Sequence, residues 1–137
     1  MVRIINKRMI ATINKLSLEM TGGEKYVGKN NLFRGSKLDF VDRIKTNKIY
    51  GMVEFQTIFH QAAAYMYYTL KNHPFIDGNK RTGLATAITF LQWNEIAFSP
   101  FDENLVFDFV KDLTISDELP QKAIGKIAFW FQSMCIY

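Results

Sequence analysis

The stretch GLATAITFLQW, Gly83 to Trp93, has almost no polar side. Leu84, Ala85, Ala87, Ile88, Phe90 and Leu91 leave little polar surface on a helix running from about Asn79–Arg81 to Trp93. A helix that is apolar nearly all round has to be buried. The spacing therefore predicts a central helix, and the chain must supply others to enclose it. Ile4, Ile5, Met9, Ile13, Leu16 and Met20 recur at helical intervals and predict a first helix over 4–20. Leu38, Val41 and Ile44 predict a short one over 36–48. Phe55, Ile58, Phe59, Ala62, Ala63, Met66 and Leu70 mark a long amphipathic helix from Glu54 to Lys71. The Pro74 ring disfavours helical geometry at His73, so this helix ends near Asn72. Ser99-Pro100 reads as a cap followed by proline at the first helical position, opening a helix with Leu105, Val106, Phe109, Val110 and Leu113. Pro120 opens the last, with Ala123, Ile124, Ile127, Ala128, Phe131 and Met134 inward.

Between these segments, TGGEKYVGKNNLFRG has the glycines and asparagines of a loop, and IYGMV near Ile49–Val53 reads as a short strand or flap. The expected fold is all-α (mostly α), with about six helices and at most one small hairpin, in a single domain over residues 1–137. With 48% hydrophobic residues, a chain of 137 residues can bury a core without disulfides or a structural metal. The single cysteine, Cys135, has no internal partner. No apolar run approaches the ~20 residues needed to span a bilayer, and no cleavable leader is visible. A soluble, cytoplasmic protein without membrane attachment is the expectation. Residues 1–50 carry net +7 and residues 51–137 net −3, which gives the chain its +4. A basic half suits an acidic protein partner, a phosphorylated ligand or nucleic acid. Nucleic acid is the poorer match, since the cations are not interleaved with aromatics and no helix-turn-helix or RNP-like signature stands out.

The densest chemistry lies in HPFIDGNKRTG, His73 to Gly83, between two predicted helices. A helix start presents unpaired backbone N–H groups and partial positive charge, which together favour an anion. Gly78 allows close backbone approach to a ligand. Lys80 and Arg81 add cations, and the Asn79 side chain can donate to the same oxygens. Acids, not a Lys-Arg pair, would suit an unligated helix start. Asp77 would repel a phosphate unless a cation stood between them, and Mg²⁺ is the usual one. Free imidazole titrates near neutrality, which makes His73 a candidate general base acting on a hydroxyl. Phe75 reads as a core plug that pins the loop, and His60 as structural. GxxxxGK(S/T) is absent, so this is not a Walker A loop.

His73-Pro74-Phe75-Ile76-Asp77-Gly78-Asn79-Lys80-Arg81 resembles the HxFx(D/E)GN(G/K)RxxR motif of the Fic/Doc family without a break. The resemblance extends over nearly all of residues 4–134. It implies a Fic/Doc-like helical domain with a small β-hairpin flap, sought here between Lys45 and Val53. It further implies His73 as general base, Asp77 as Mg²⁺ ligand, and Gly78, Asn79, Lys80 and Arg81 as phosphate cradle, with ATP as co-substrate. Leu84 stands where the family has a second Arg, and Lys80 where many members have Gly; both resemble the death-on-curing (Doc) branch. Asp77-Gly78 is closer to the AMP-transferring members, so phosphoryl and AMP transfer both stay open. The implied target is a Ser, Thr or Tyr hydroxyl of a protein, in the Doc branch a translation elongation factor. Ser99 to Asn104 also fits the (S/T)xxxE(G/N) pattern of the family's inhibitory helices, but Pro100 favours the helix-start reading. A separate antitoxin protein is then the implied regulator. The alternative is a catalytically silent module of the same fold that binds a protein partner or nucleic acid through its basic N-terminal half.

Overall fold

Three consecutive alanines decide which helix takes the centre. The computed structural model describes residues 3–21, 31–32, 37–46, 48–49, 52–53 and 57–136. In order these form α1 (Lys7–Thr21), α2 (Asp39–Thr46), β1 (Lys48–Ile49), β2 (Met52–Val53), α3 (Ile58–Asn72), α4 (Asn79–Trp93), β3 (Ala97–Phe98), α5 (Glu103–Ile115), α6 (Pro120–Met134) and β4 (Cys135–Ile136). Ala62, Ala63 and Ala64 are fully buried, and their small side chains let neighbours approach α3 closely. Helix α3 packs against α2, α4, α5 and α6. It takes the central place that the sequence suggested for α4. Helix α4 packs on α3 and α1 and keeps one face partly open, with Ala85 and Ile88 half-buried and Thr89 exposed. At Gly83 a Cβ would come within 2.7 Å of Leu70 Cδ1, so this glycine sets how closely α4 lies on α3.

The helix ends follow local chemistry. Thr57 caps α3 by accepting from His60 N–H at 3.2 Å, and its hydroxyl also meets His60 Nδ1 at 2.8 Å, so His60 is structural. The segment 54–56, where the sequence placed the start of this helix, and most of the glycine-rich loop lie outside the described residues. Pro120 stands at the start of α6, as expected.

Three expectations are corrected. Helix α5 starts at Glu103, capped by Asp102, whose Oδ1 accepts from Asn104 N–H at 2.9 Å; Ser99-Pro100 is not the helix start. The reason is a pairing invisible locally. Strand β3 runs antiparallel to β4, and Ser99 N–H donates to Met134 O at 2.9 Å, so the chain is extended where a cap was read. This sheet also adds to the one hairpin that was expected, β1–β2, which pairs Lys48 with Val53 and Ile49 with Met52. Finally, α1 is rotated about its axis. Ile10, Ala11, Asn14, Ser17 and Leu18 face inward, whereas Leu16 is 51% and Met20 85% exposed.

The chain before α1 is tied to α3 through a buried phenol. Tyr65 OH donates to Ile5 O at 3.0 Å and accepts from Ile5 N–H at 3.1 Å. Burial pushes the Tyr65 phenol up to about 12 from its ordinary 10.0, against a smaller lowering by the bond to Ile5. Tyr65→Phe leaves both Ile5 groups unpaired and should cost about 1–3 kcal/mol in urea unfolding. The raised phenol stabilises the fold fully below about pH 10, and this contribution fades as pH rises toward about 12. The wild type should therefore lose stability over that window more steeply than Tyr65→Phe.

Candidate active site

The turn between α3 and α4 is made by two left-handed residues. His73 ends α3 at φ 49°, ψ 54°, with its N–H donating to Thr69 O at 3.2 Å. Pro74 bars right-handed helical geometry there, and the left-handed conformation turns the chain away. Gly78 opens α4 at φ 80°, ψ 18°. A Cβ at Gly78 would meet Leu18 Cδ2 at 3.2 Å and Asn14 Nδ2 at 3.3 Å, so both the dihedral and the space favour glycine. Between them Phe75 is fully buried, and its bridge to Leu32, with Ile76 N–H donating to Asn31 O at 3.0 Å, fastens the turn to the preceding loop.

Two buried amides hold this turn. Asn79 Oδ1 accepts from Phe75 N–H at 3.0 Å, and Asn79 Nδ2 donates to Phe75 O at 2.9 Å. These bonds engage the amide oxygen and one of the two side-chain N–H groups of Asn79 with the loop. Asn79 can also offer an anion its backbone N–H. Asn14 is the second amide and was missed in the sequence. Its Nδ2 donates to Asp77 O at 2.9 Å and Thr82 Oγ1 at 3.0 Å, while its Oδ1 accepts from Asn31 Nδ2 at 3.0 Å. The available signal was a polar residue on the Ile10–Asn14–Leu18 stripe, which a buried helix face tolerates only when it is hydrogen-bonded.

A cavity of about 680 Å³ opens against this turn, within the usual range for a ligand site. His73, Asp77, Gly78, Asn79, Lys80 and Arg81 all line it, with α5 contributing Asn104, Phe107, Lys111 and Thr114. None of these α5 residues was read as a site residue. His73, Lys80 and Arg81 are exposed, and among the described residues no side chain caps the start of α4. The Asn79, Lys80 and Arg81 amides precede the first intrahelical donor, Thr82 N–H, which reaches Gly78 O at 2.8 Å. Arg81 Nη1 pairs with Glu103 Oε2 at 3.2 Å, both side chains being about half exposed (43% and 51%). A pair this exposed is worth at most about 1 kcal/mol, so a phosphate can compete for the guanidinium.

Asp77 Oδ1 accepts from Gly78 N–H at 2.8 Å. Among the described residues no group of three or more His, Cys, Asp or Glu forms a preassembled metal site. A single carboxylate at the cavity would fit Mg²⁺ held mainly by phosphate oxygens and water. Asp77 could hold such an ion, and the amides of α4 with Lys80 and Arg81 could hold the phosphates.

These elements define a helical protein whose motif loop, strung between two core helices, lines an anion-suited cavity. The chain belongs to the Fic/DOC family, whose model matches residues 3–91, a span that includes every residue from His73 to Arg81. It is similar to Toxin Doc of Mycolicibacterium smegmatis, 33% identical over 70 residues, or 50% of this chain and 54% of the relative. The chain thus spans about half the length of the curated relative it matches. Among the described residues no helix is long and apolar enough to cross a membrane.

Asn14→Ala removes two buried hydrogen bonds and one part-buried one, and takes their Asn14 partner from the Asp77 carbonyl, the Thr82 hydroxyl and the Asn31 amide. It should lower unfolding free energy by about 1–3 kcal/mol, read by urea titration.

Proposed function

We propose that this chain is a Doc-like toxin that transfers a phosphoryl or AMP group from ATP to a protein hydroxyl. The observation that carries this reading is the gathering of His73, Asp77 and the uncapped start of α4 around one cavity. The family membership and the similarity to Toxin Doc support it further.

The residues divide the work by position. The backbone amides of Asn79, Lys80 and Arg81, backed by the helix dipole, seat a phosphate and keep its oxygens oriented without reorganisation during reaction. Arg81, released from Glu103, adds a bidentate contact, and Lys80 adds a mobile charge. Mg²⁺ at Asp77, when bound, neutralises charge on the phosphate oxygens. His73, held at the cavity by its left-handed backbone, takes the proton of the incoming Ser, Thr or Tyr hydroxyl. The hydroxyl oxygen then bonds to phosphorus as the P–O bond to the leaving group breaks. ADP leaves if the γ-phosphorus is attacked, and pyrophosphate if the α-phosphorus is. His73 returns its proton to solvent. Such a transfer rests on positioning and charge stabilisation, which rigid backbone donors supply well.

The target is read as a protein of the translation machinery, an elongation factor in the Doc-branch version. The β1–β2 hairpin, at the position expected for the flap, is suited to receive an extended target segment as an added strand. A toxin of this kind needs restraint inside its own cell, and a separate antitoxin protein is the expected partner, with the basic N-terminal half suited to an acidic one.

Incubation with elongation factors and ATP labelled at the α or γ position tests the reading. Transfer of γ-label marks phosphorylation and transfer of α-label marks AMP transfer. His73→Ala should cut transfer by about 100- to 10,000-fold while nucleotide binding persists. Undiminished transfer by that variant overturns the base assignment, and ATP binding with no label on any target favours the silent binding module.

A further inference from the structure

Helix α5 lies outside the residues matched by the family model, yet it forms one side of the cavity. Asn104, Phe107, Lys111 and Thr114 recur every three or four residues, which places them in one stripe along the helix, and all four line the cavity. Phe107 is buried and Lys111 exposed. A lysine in such a place can lay its stem over apolar neighbours and carry its ammonium into the solvated cavity.

Lys111, like Lys80, forms no ion pair with a described residue. Among the described residues the ion pairs join Lys7 to Asp39 and Asp42, Arg81 to Glu103, and Lys126 to Glu118. Neither Asp108 nor Asp112, the acids nearest to Lys111 along α5, pairs with it. Among the described residues that line the cavity, Asp77 is the one carboxylate, against Lys80, Arg81 and Lys111. A ligand with a single anionic group would be met by the α4 amides and by Lys80 and Arg81 beside them. It would leave the charge on α5 uncompensated.

We infer that Lys111 binds a second anionic group of the ligand and so makes the cavity selective for nucleoside di- and triphosphates over monophosphates. The inference rests on the nucleotide reading above. An ammonium suits this task, since it can follow a flexible polyphosphate without demanding the planar geometry of a guanidinium.

Calorimetric titration of the full chain with ATP, ADP and AMP in the presence of MgCl₂ tests it, using wild type, Lys111→Met, Lys111→Arg and Lys122→Met. Methionine keeps the stem and the helix propensity while removing the charge. Lys122 lies on α6 and does not line the cavity. The wild type should bind ATP and ADP more tightly than AMP. Lys111→Met should weaken ATP about tenfold and leave AMP unchanged, a loss expected for one charge-assisted contact. Lys111→Arg should recover most of the ATP affinity, and Lys122→Met should match the wild type. Wild-type ATP affinity in Lys111→Met, or an equal loss of ATP and AMP, overturns the inference and leaves the nucleotide reading standing. A wild type that binds none of the three overturns both.

Discussion

The site depends on a buried amide on α1. Asn14 gives its two N–H bonds to the Asp77 carbonyl and the Thr82 hydroxyl and takes one from Asn31, joining the first helix, the preceding loop, the motif turn and the fourth helix. A fully buried amide is stable only when satisfied, and this one is satisfied by groups that are far apart in sequence. Asn79 does the same over a shorter span, closing the Phe75 backbone against the first turn of α4. The turn is thereby held in place from both sides, and its left-handed residues are kept in conformations they would leave in isolation.

That rigidity has a chemical use. The start of α4 faces the cavity without a capping side chain, while the neighbouring cations are exposed and loosely engaged. Arg81 shares itself with Glu103 through a half-exposed pair, and Lys80 and Lys111 stand apart from the ion pairs of the described residues. In the proposed function, fixed backbone donors with exposed side-chain charges around them would form a cradle that need not reorganise to receive a phosphate. The order in the chain serves this arrangement. The helix carrying three buried alanines ends in the candidate base, and the next helix begins with the cradle.

The helical fold was legible because its signals are local. Helical periodicity and the prolines at 74 and 120 placed five helices to within a few residues, and the end of α3 near Asn72 and the span of α4 agree closely with the structure. The motif was legible for the same reason, since nine consecutive residues, His73 to Arg81, carry it, and the structure sets His73 and Asp77 to Arg81 along one cavity. The rest failed where long-range partners decide. The β3–β4 pairing joins segments nearly forty residues apart through two residues each, too little pattern to detect, and it displaced the start of α5. The inward face of α1 was misread because Asn14 and Ser17 look like solvent residues until their partners are known. The α5 contribution was missed because Lys111 shares the cavity with the motif but lies thirty residues from Arg81 in the sequence.

The central claim is that the start of α4 receives a nucleotide phosphate, and amide NMR tests it most directly. On titration with Mg²⁺-ATP, the backbone resonances of Gly78, Asn79, Lys80 and Arg81 should shift most and saturate together, with His73 moving alongside them. Saturable shifts confined to another surface, with these amides unmoved, would contradict the account.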